Sequence, residues 1–449
     1  MLRLTIPPGM PPAPPGNWLS GTASAFSRDP VAYINRYSPV YAPVWTMMAR
    51  LRKVVLLNDP VWVKYVLAEN NKNYTKSFGY DLLRPLLGNG LLTSEGEFWM
   101  SQRRLMQPAF HKQAILTFVE VMLEEGQRCA ERFRQAADRG ETLNISAEMS
   151  RVTMVIVSRC LLGMLVPGDL DRISASLELA NRDANHRIQH PFALPMKVPT
   201  PGNLKVRRAL AELDRTINGI IADRRRSGER GTDLLSMLLE ARDADTGEAM
   251  SDRQLRDEIA TIFIAGHETT ANALSWTLYA LATNPEVEQK LCSEIDAAGA
   301  GAADPAGLPY VRLVARESLR LYPPAWIVGR EPIADDTIAG YTIPAGTSVL
   351  MPTVCIQRNP EFWPDPLAFK PERHEEERVK DLPKYAYFPF GGGPRICIGI
   401  NFAWMELFLL LPLLMQGLRY RTVSNAAPAL EHLITLHPRG GMMLKPERR

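Results

Sequence analysis

The chain has 449 residues, with 52 basic and 49 acidic side chains and a formal net charge of +3. So even a balance argues against a nucleic-acid binder, which carries a concentrated basic face, and 46% apolar residues supply a large core without covalent staples. Five cysteines (Cys129, Cys160, Cys292, Cys355, Cys397) lie far apart, so neither a disulfide framework nor a CxxC zinc site is expected, and the usage fits a reducing cytosol.

The first 20 residues are proline-rich and lack a long apolar run. They predict an extended arm rather than a signal peptide or anchor. Asp59-Pro60 is an N-cap with proline at the first helical position, and Val61, Tyr65 and Ala68 follow at helical spacing. Residues 74–94 break the pattern with Gly79, Pro85, Gly88 and Gly90 and are expected to form a loop. Helical periodicity returns near Glu95 and again over 113–138, 147–162 and 202–228; Arg224-Arg225-Arg226 is expected to be a solvated helix end. The longest candidate is Asp252–Ala282, opened by Ser251 and Gln254 in capping-box spacing. Another helix is expected over Pro309–Leu321, stopped by Pro323-Pro324. Short runs at 326–328, 338–343 and 348–350 then read as strands. Residues 358–395 are rich in proline and glycine, and irregular backbone of that length inside a folded chain is usually functional. A last helix covers 399–414. Its apolar stretch is interrupted by Glu406 and is shorter than a membrane span, so no membrane anchor and a cytoplasmic location are expected. The sum is a mainly α fold with a small β region, in a single domain over 1–449.

Four motifs carry the chemistry. The strongest is Phe390-Gly391-Gly392-Gly393-Pro394-Arg395-Ile396-Cys397-Ile398-Gly399. It sets one cysteine at the end of a constrained loop and just before an apolar helix, a position that favours thiolate over thiol. A lone cysteine in a glycine-rich turn is ordinarily structural; the ten-residue string sets this one apart. The second is Ala265-Gly266-His267-Glu268-Thr269 in mid-helix. Glycine there costs about 1 kcal/mol relative to alanine, and an unpaired buried acid costs more. The spacing suggests a locally opened helix with an acid and a hydroxyl beside a reaction centre. An isolated acid would instead face solvent, and His267 reads as a surface or packing residue. Third, Glu317 and Arg320 share a helix face. Fourth, Trp99 and Arg103 stand four apart on one face, with Arg104 as the alternative cation.

The cysteine string resembles the haem-binding loop of the cytochrome P450 superfamily through Phe390, Gly393, Arg395, Cys397 and Gly399. The other motifs occur in that family's order: Trp-x-x-x-Arg, Ala-Gly-x-Glu-Thr, Glu-x-x-Arg and Pro371-Glu372-Arg373. The resemblance implies a haem b whose iron takes Cys397 as its thiolate ligand. It implies Thr269 as the hydroxyl of oxygen activation and Glu268 as part of the proton supply. Trp99, Arg103, Arg330 and Arg395 are implied as partners of the haem propionates. Glu317, Arg320 and Arg373 are implied as a structural triad, with His374 in place of the usual aromatic. Pocket walls are implied at Phe78, Leu86, Leu87, Ile262, Phe263, Ala265, Ala325, Trp326, Ile327, Val328, Leu433 and Ile434, nearly all apolar, which favours a hydrophobic substrate. The loop Gly88-Asn89-Gly90-Leu91-Leu92-Thr93 resembles members that act on fatty acids and terpenoids, while Arg84, His186 or Arg187 would suit a carboxylate. The expected activity is hydroxylation or epoxidation with O2. Electrons would come ultimately from NAD(P)H through a separate ferredoxin or flavodoxin with its reductase, and the chain would act as a monomer. A peroxide-using enzyme or an isomerase ranks lower because Glu268-Thr269 is intact. A non-catalytic gas sensor would not need that pair.

Overall fold

Helices begin where short polar side chains capture free N–H groups. Asp29 accepts from Ala32 N at 2.9 Å, and Asp59 from Val61 N at 2.7 Å. At Ser251 both halves of the capping box form: Gln254 N donates to the Ser251 hydroxyl at 3.3 Å, and Ser251 N donates to Gln254 Oε1 at 2.7 Å. The computed structural model describes residues 8–15, 22–49, 52–163, 167–189, 193–228, 231–243, 245–299, 307–424 and 426–449. Of the expected N-terminal arm, residues 1–7 and 16–20 lie outside these. The chain divides into two compact units, Met1–Gly79 with Arg312–Cys397 and Ala429–His437, and Tyr80–Val311 with Ile398–Pro428 and Pro438–Arg449. The architecture is mainly helical with small sheets.

The first unit is built on a five-stranded sheet in the spatial order Val44–Ala49, Arg52–Leu57, Ser348–Met351, Val328–Pro332, Tyr74–Lys76. Val54, Val55 and Leu56 pair in parallel with Ser348, Val349 and Leu350. The inward side chains Val55, Leu57, Val349 and Met351 join Val63, Val66 and Leu67 in one cluster. Each such buried aliphatic side chain contributes about 1.5–3 kcal/mol. On a second cluster Tyr33, Trp45 and Trp326 pack with Ile34 and Leu56. The described part of the arm is extended as expected and pinned: Thr46 N donates to Pro12 O at 2.7 Å and Thr342 N to Gly9 O at 2.8 Å.

The irregular segment of this unit is held by buried charge. Glu317 and Arg320 are fully buried and bidentate, Nε to Oε2 at 2.7 Å and Nη2 to Oε1 at 2.9 Å. Lys370 N donates to Glu317 at 2.9 Å, and Arg373 Nε pairs with it at 3.3 Å. Arg320 also donates to the carbonyls of Gln357, Pro366 and Ala368 at 2.9, 2.8 and 3.2 Å. His374 does more than fill the aromatic position: its Nε2 lies 3.0 Å from Glu317 Oε2, while its ring packs 5.5 Å from Trp363 and 5.1 Å from Tyr387.

The second unit is organised by the 31-residue helix Asp252–Ala282. Buried residues run all round it, including the consecutive Ile259, Ala260, Thr261 on one turn and Ala271 to Leu278 further on, as expected of a core helix rather than a surface one. It packs against helices Ile145–Leu162 and Ile400–Met415 and strand Leu418–Thr422. Helix Val119–Asp138 buries one stripe, Met122, Gly126, Cys129, Phe133 and Ala136. Strand Met443–Arg448 pairs antiparallel with Leu418–Thr422 and with Leu143–Asn144. Among the described residues no helix is long and apolar enough to cross a membrane.

The expectations fail where tertiary pairing decides. Residues 74–94 are not one loop: Tyr74–Lys76 is a strand against Val328–Pro332, and short helices follow at Phe78–Leu83 and Arg84–Leu87. The strand expected at 326–328 begins only at Val328. Helices Pro30–Tyr41 and Pro167–Gln189 and the C-terminal strands carried no clear periodic signal. Arg224 is not solvated; it pairs with Asp233 at 2.7 Å and donates to Leu162 O at 2.9 Å.

Glu317→Ala would strand Arg320 in the core, at a cost of about 3–5 kcal/mol, to be read as lost soluble yield or a collapsed melting temperature. His374→Phe removes one hydrogen bond, about 1 kcal/mol. Burial pulls the His374 pKa below its ordinary 6.5, with the Glu317 contact only partly offsetting it. The folded chain therefore resists taking up a proton that the unfolded chain accepts, and the stability His374 adds is lost as pH falls below that value. The gap in urea midpoint between wild type and His374→Phe should narrow from about pH 7 to about pH 5.

Candidate active site

Cys397 differs from the other cysteines before any cofactor is considered. Cys129, Cys160, Cys292 and Cys355 are buried, and Cys397 is exposed. Burial pushes Cys129 and Cys355 up to about 12 and Cys292 up to about 11, which makes them inert thiols. The Cys397 loop is tied down from behind. Its N–H donates to Phe390 O at 3.0 Å, Ile396 N to Gly393 O at 3.1 Å, and Gly391 N to Phe388 O at 2.9 Å. Gln357 anchors the approach, accepting from Phe388 N at 2.9 Å while donating to Leu319 O and Arg320 O. Gly393 is required twice over: its φ is +64°, and a Cβ would stand 1.7 Å from the Leu67 carbonyl oxygen. The helix Ile400–Met415 starts at Gly399, with no side chain capping its first turn.

On the long helix, one stripe departs from the general burial. Ala265 is exposed and Ile262, Gly266 and Thr269 are partly exposed, at the spacing of one helix face. Thr269 lies on this open stripe, its hydroxyl donating to Ala265 O at 2.7 Å. Glu268, about 100° further round, does not join it. It is buried, and Asn181 Nδ2 on helix Pro167–Gln189 donates to its Oε2 at 2.9 Å. The helix is continuous through Gly266, contrary to the expected local opening. The glycine serves close packing instead, since a Cβ would meet Val157 Cγ2 at 3.0 Å. His267 is a packing residue, with Nδ1 2.7 Å from Phe263 O.

Arg103 lies with its guanidinium carbon 5.9 Å from the Trp99 ring centre, so these two come together. Arg104 is committed elsewhere, to Asp243 at 2.7 Å and Asp245 at 2.5 Å. Arg330 is 7% exposed, donates to Gly329 O at 2.9 Å, and has no carboxylate partner among the described residues. A buried guanidinium without a counter-ion calls for an anion. Arg395 is partly exposed on the cysteine loop. Within the first unit, an exposed cysteine on a loop tied down by hydrogen bonds and a buried arginine lacking an acid fit the donor set a haem requires.

The apolar residues separate into two groups. Ile262 and Ala265 lie on the open stripe, and Ala325, Ile327 and Ile434 are partly exposed. The segments around Ala325 and Ile434 are joined, Trp326 Nε1 donating to Leu433 O at 2.8 Å and Leu436 N to Pro324 O at 3.0 Å. Phe78 is exposed beside strand Val328–Pro332, its N–H donating to Glu331 at 2.9 Å. Leu86, Phe263 and Trp326 are instead core side chains, 3%, 0% and 6% exposed, and the structure offers little of them as pocket wall. Arg84 pairs with Asp81 and Arg187 with Asp183, so neither cation waits for a substrate carboxylate. Four positions escaped the sequence reading. Asn181 holds Glu268. Asp257 and Glu258 capture Asn89 N and Leu91 N at 2.8 and 2.9 Å and so fix the loop over 88–93. Glu406 is fully buried, and its only signal was an acid inside the most apolar run of the chain.

The cytochrome P450 family profile matches residues 11–444. The chain is 33% identical to the cyclooctat-9-en-7-ol 5-monooxygenase of Streptomyces melanosporofaciens, over 94% of each chain. It is 34% identical to cyclooctatin synthase of the same organism, over 92% of this chain and 90% of that one. Among solved structures, the crystal structure of the cytochrome P450DA heme domain superimposes with a TM-score of 0.87 at 25% identity, covering 98% and 97% of the two chains.

Gly393→Ala should prevent the cysteine loop from closing, and the purified protein should carry almost no haem by pyridine haemochrome assay. Gly391→Ala has the same sign of φ, +71°, but meets nothing within 4 Å. It should cost only about 1 kcal/mol and retain most of its haem.

Proposed function

The chain belongs to the cytochrome P450 family of haem-iron monooxygenases, and we propose that this member hydroxylates or epoxidises a hydrophobic substrate of the terpenoid class. The observation that carries the assignment to this chain's own residues is Cys397, the one exposed thiol among five, on a loop that admits no side chain at Gly393. Two relatives are named for cyclooctat-9-en-7-ol and for cyclooctatin, and the partly open residues Ile262, Ala265, Ala325, Ile327 and Ile434 are all apolar. Apolar side chains of that kind favour a hydrocarbon-rich molecule and give little to an anion. We favour terpenoids over fatty acids because Arg84 and Arg187 are already paired.

In this reading Cys397 supplies the thiolate ligand, and Trp99, Arg103, Arg330 and Arg395 take the two propionates. When bound, the haem supplies reductive activation of O2, with a thiolate pushing electron density toward O–O cleavage. The protein's part is to position substrate and to deliver protons in order. Ile262 and Ala265 exclude water along the helix face. Thr269 presents a hydroxyl that can exchange its donation to Ala265 O for one into the site. Glu268, held away from that face by the Asn181 amide that donates to it, serves as the proton reserve. Electrons come from NAD(P)H through a separate ferredoxin or flavodoxin and its reductase. We take the chain to act as a cytoplasmic monomer and as one functional domain.

Optical titration of the ferric protein with cyclic terpenoid alcohols, long-chain fatty acids, steroids and macrolides tests the substrate class. A saturable high-spin shift is expected with the terpenoids, at least about tenfold tighter than with the fatty acids, a difference of about 1.4 kcal/mol. A fatty acid binding as tightly would overturn the preference. Thr269→Ala should divert electrons into peroxide, lowering product formed per NAD(P)H about tenfold or more, while Cys397→Ser should abolish hydroxylation.

A further inference from the structure

Behind the open stripe of the long helix lies an acid that the reading above does not use. Glu406, on helix Ile400–Met415, is 0% exposed, and neither carboxyl oxygen has a partner in good hydrogen-bond geometry, although the Thr270 hydroxyl stands near enough to oppose part of the burial effect. No ion pair joins it among the described residues. An ionised carboxylate in that setting would cost several kcal/mol, so burial pushes its pKa up to about 8. The groups facing it are Thr270 from helix Asp252–Ala282 and Cys160 from helix Ile145–Leu162. The Cys160 thiol is pushed up too, first by burial and then by Glu406. Thr270 is 3% exposed and its hydroxyl proton is already given to Gly266 O at 3.2 Å. A hydroxyl that has spent its proton still has lone pairs, and a neutral carboxylic acid still has a donor.

We propose that Glu406 is a positioning residue that works as a neutral acid, its O–H donating to Thr270, whose hydroxyl in turn donates to the Gly266 carbonyl. This directional chain fixes the helical turn 266–270 from its buried side while Thr269 stands on the open one. It reverses if Glu406 ionises. The carboxylate then becomes an acceptor and competes with Gly266 O for the Thr270 proton, and the turn that presents Thr269 loosens. The proposal rests on the assignment of Thr269 above for its effect on turnover, but not for the state of Glu406 itself.

The test is infrared spectroscopy of the haem-loaded protein with the Glu406→Gln and Thr270→Val variants. At neutral pH the wild type should show a protonated-carboxyl C=O band that Glu406→Gln lacks and that Thr270→Val shifts, since valine cannot accept the O–H. In turnover, the wild type should lose coupling as pH rises through the Glu406 pKa. Glu406→Gln, a neutral donor at every pH, should keep neutral-pH coupling and lose that alkaline limb. Stability gives a third reading. A raised carboxyl pKa contributes stability below its unfolded value that fades as pH rises through the folded one, so Glu406→Gln should gain on wild type in urea midpoint from about pH 5 to about pH 8. Absence of the band, or a band unmoved by Thr270→Val, would overturn the proposal whatever the substrate proves to be. An alkaline limb that persists in Glu406→Gln would overturn its effect on the reaction.

Discussion

The buried pair of Glu317 and Arg320 is the constraint on which the first unit depends. Two charges with no solvent must have every donor and acceptor answered by protein. The answers come from far along the chain: Gln357, Pro366, Ala368, Lys370, Arg373 and His374. Each is a backbone or side-chain group in a stretch that forms almost no regular structure, so hydrogen bonds to two buried ions do there what a helical ladder does elsewhere. Gln357 continues the same network to Phe388 N, at the base of the loop that carries Cys397. The anchoring of the cysteine loop is in this sense inherited from an ion pair on helix Pro309–Leu321, with four strands between them in the chain.

His374 shows how such a network tolerates a change of residue. Where an aromatic ring is usual, a histidine keeps the ring packing against Trp363 and Tyr387 and adds a contact to Glu317. Burial raises the Glu317 pKa, but Arg320 and His374 outweigh it, and the carboxyl sits below its ordinary value. The substitution ties one more segment to the same carboxylate and brings a pH dependence that a phenylalanine would lack.

The long helices and the motif positions were legible in the sequence because local signals fix them. Ser251 and Gln254 mark a start, Pro323-Pro324 a stop, and glycines and prolines bracket Cys397. What was not legible depends on partners distant in sequence. Tyr74–Lys76 is a strand only because Val328–Pro332 lies beside it, and its own glycine-rich flank reads as loop. Phe263 and Ile262 are adjacent apolar residues, and no pattern says which faces the core on a helix buried nearly all round. Gly266 was read as a sign of a loosened helix, but its neighbour Val157, over a hundred residues earlier, is the reason for it. The acid and hydroxyl of the central motif are adjacent in sequence, and only the fold shows that Glu268 turns to Asn181 while Thr269 stays on the open stripe.

Three of the buried glutamates, Glu317, Glu268 and Glu406, differ in environment alone. Glu317 is surrounded by cations and N–H donors, so it is ionised and structural. Glu268 accepts from the Asn181 amide, a neutral donor. Glu406 has no ion pair among the described residues, and burial pushes its carboxyl toward the neutral form with the Thr270 hydroxyl opposing only in part. The three share a side chain and low exposure, so burial by itself does not determine what an acid does. Its surroundings do: cations and N–H donors hold Glu317 ionised, while burial with no ion pair among the described residues pushes Glu406 toward the neutral form.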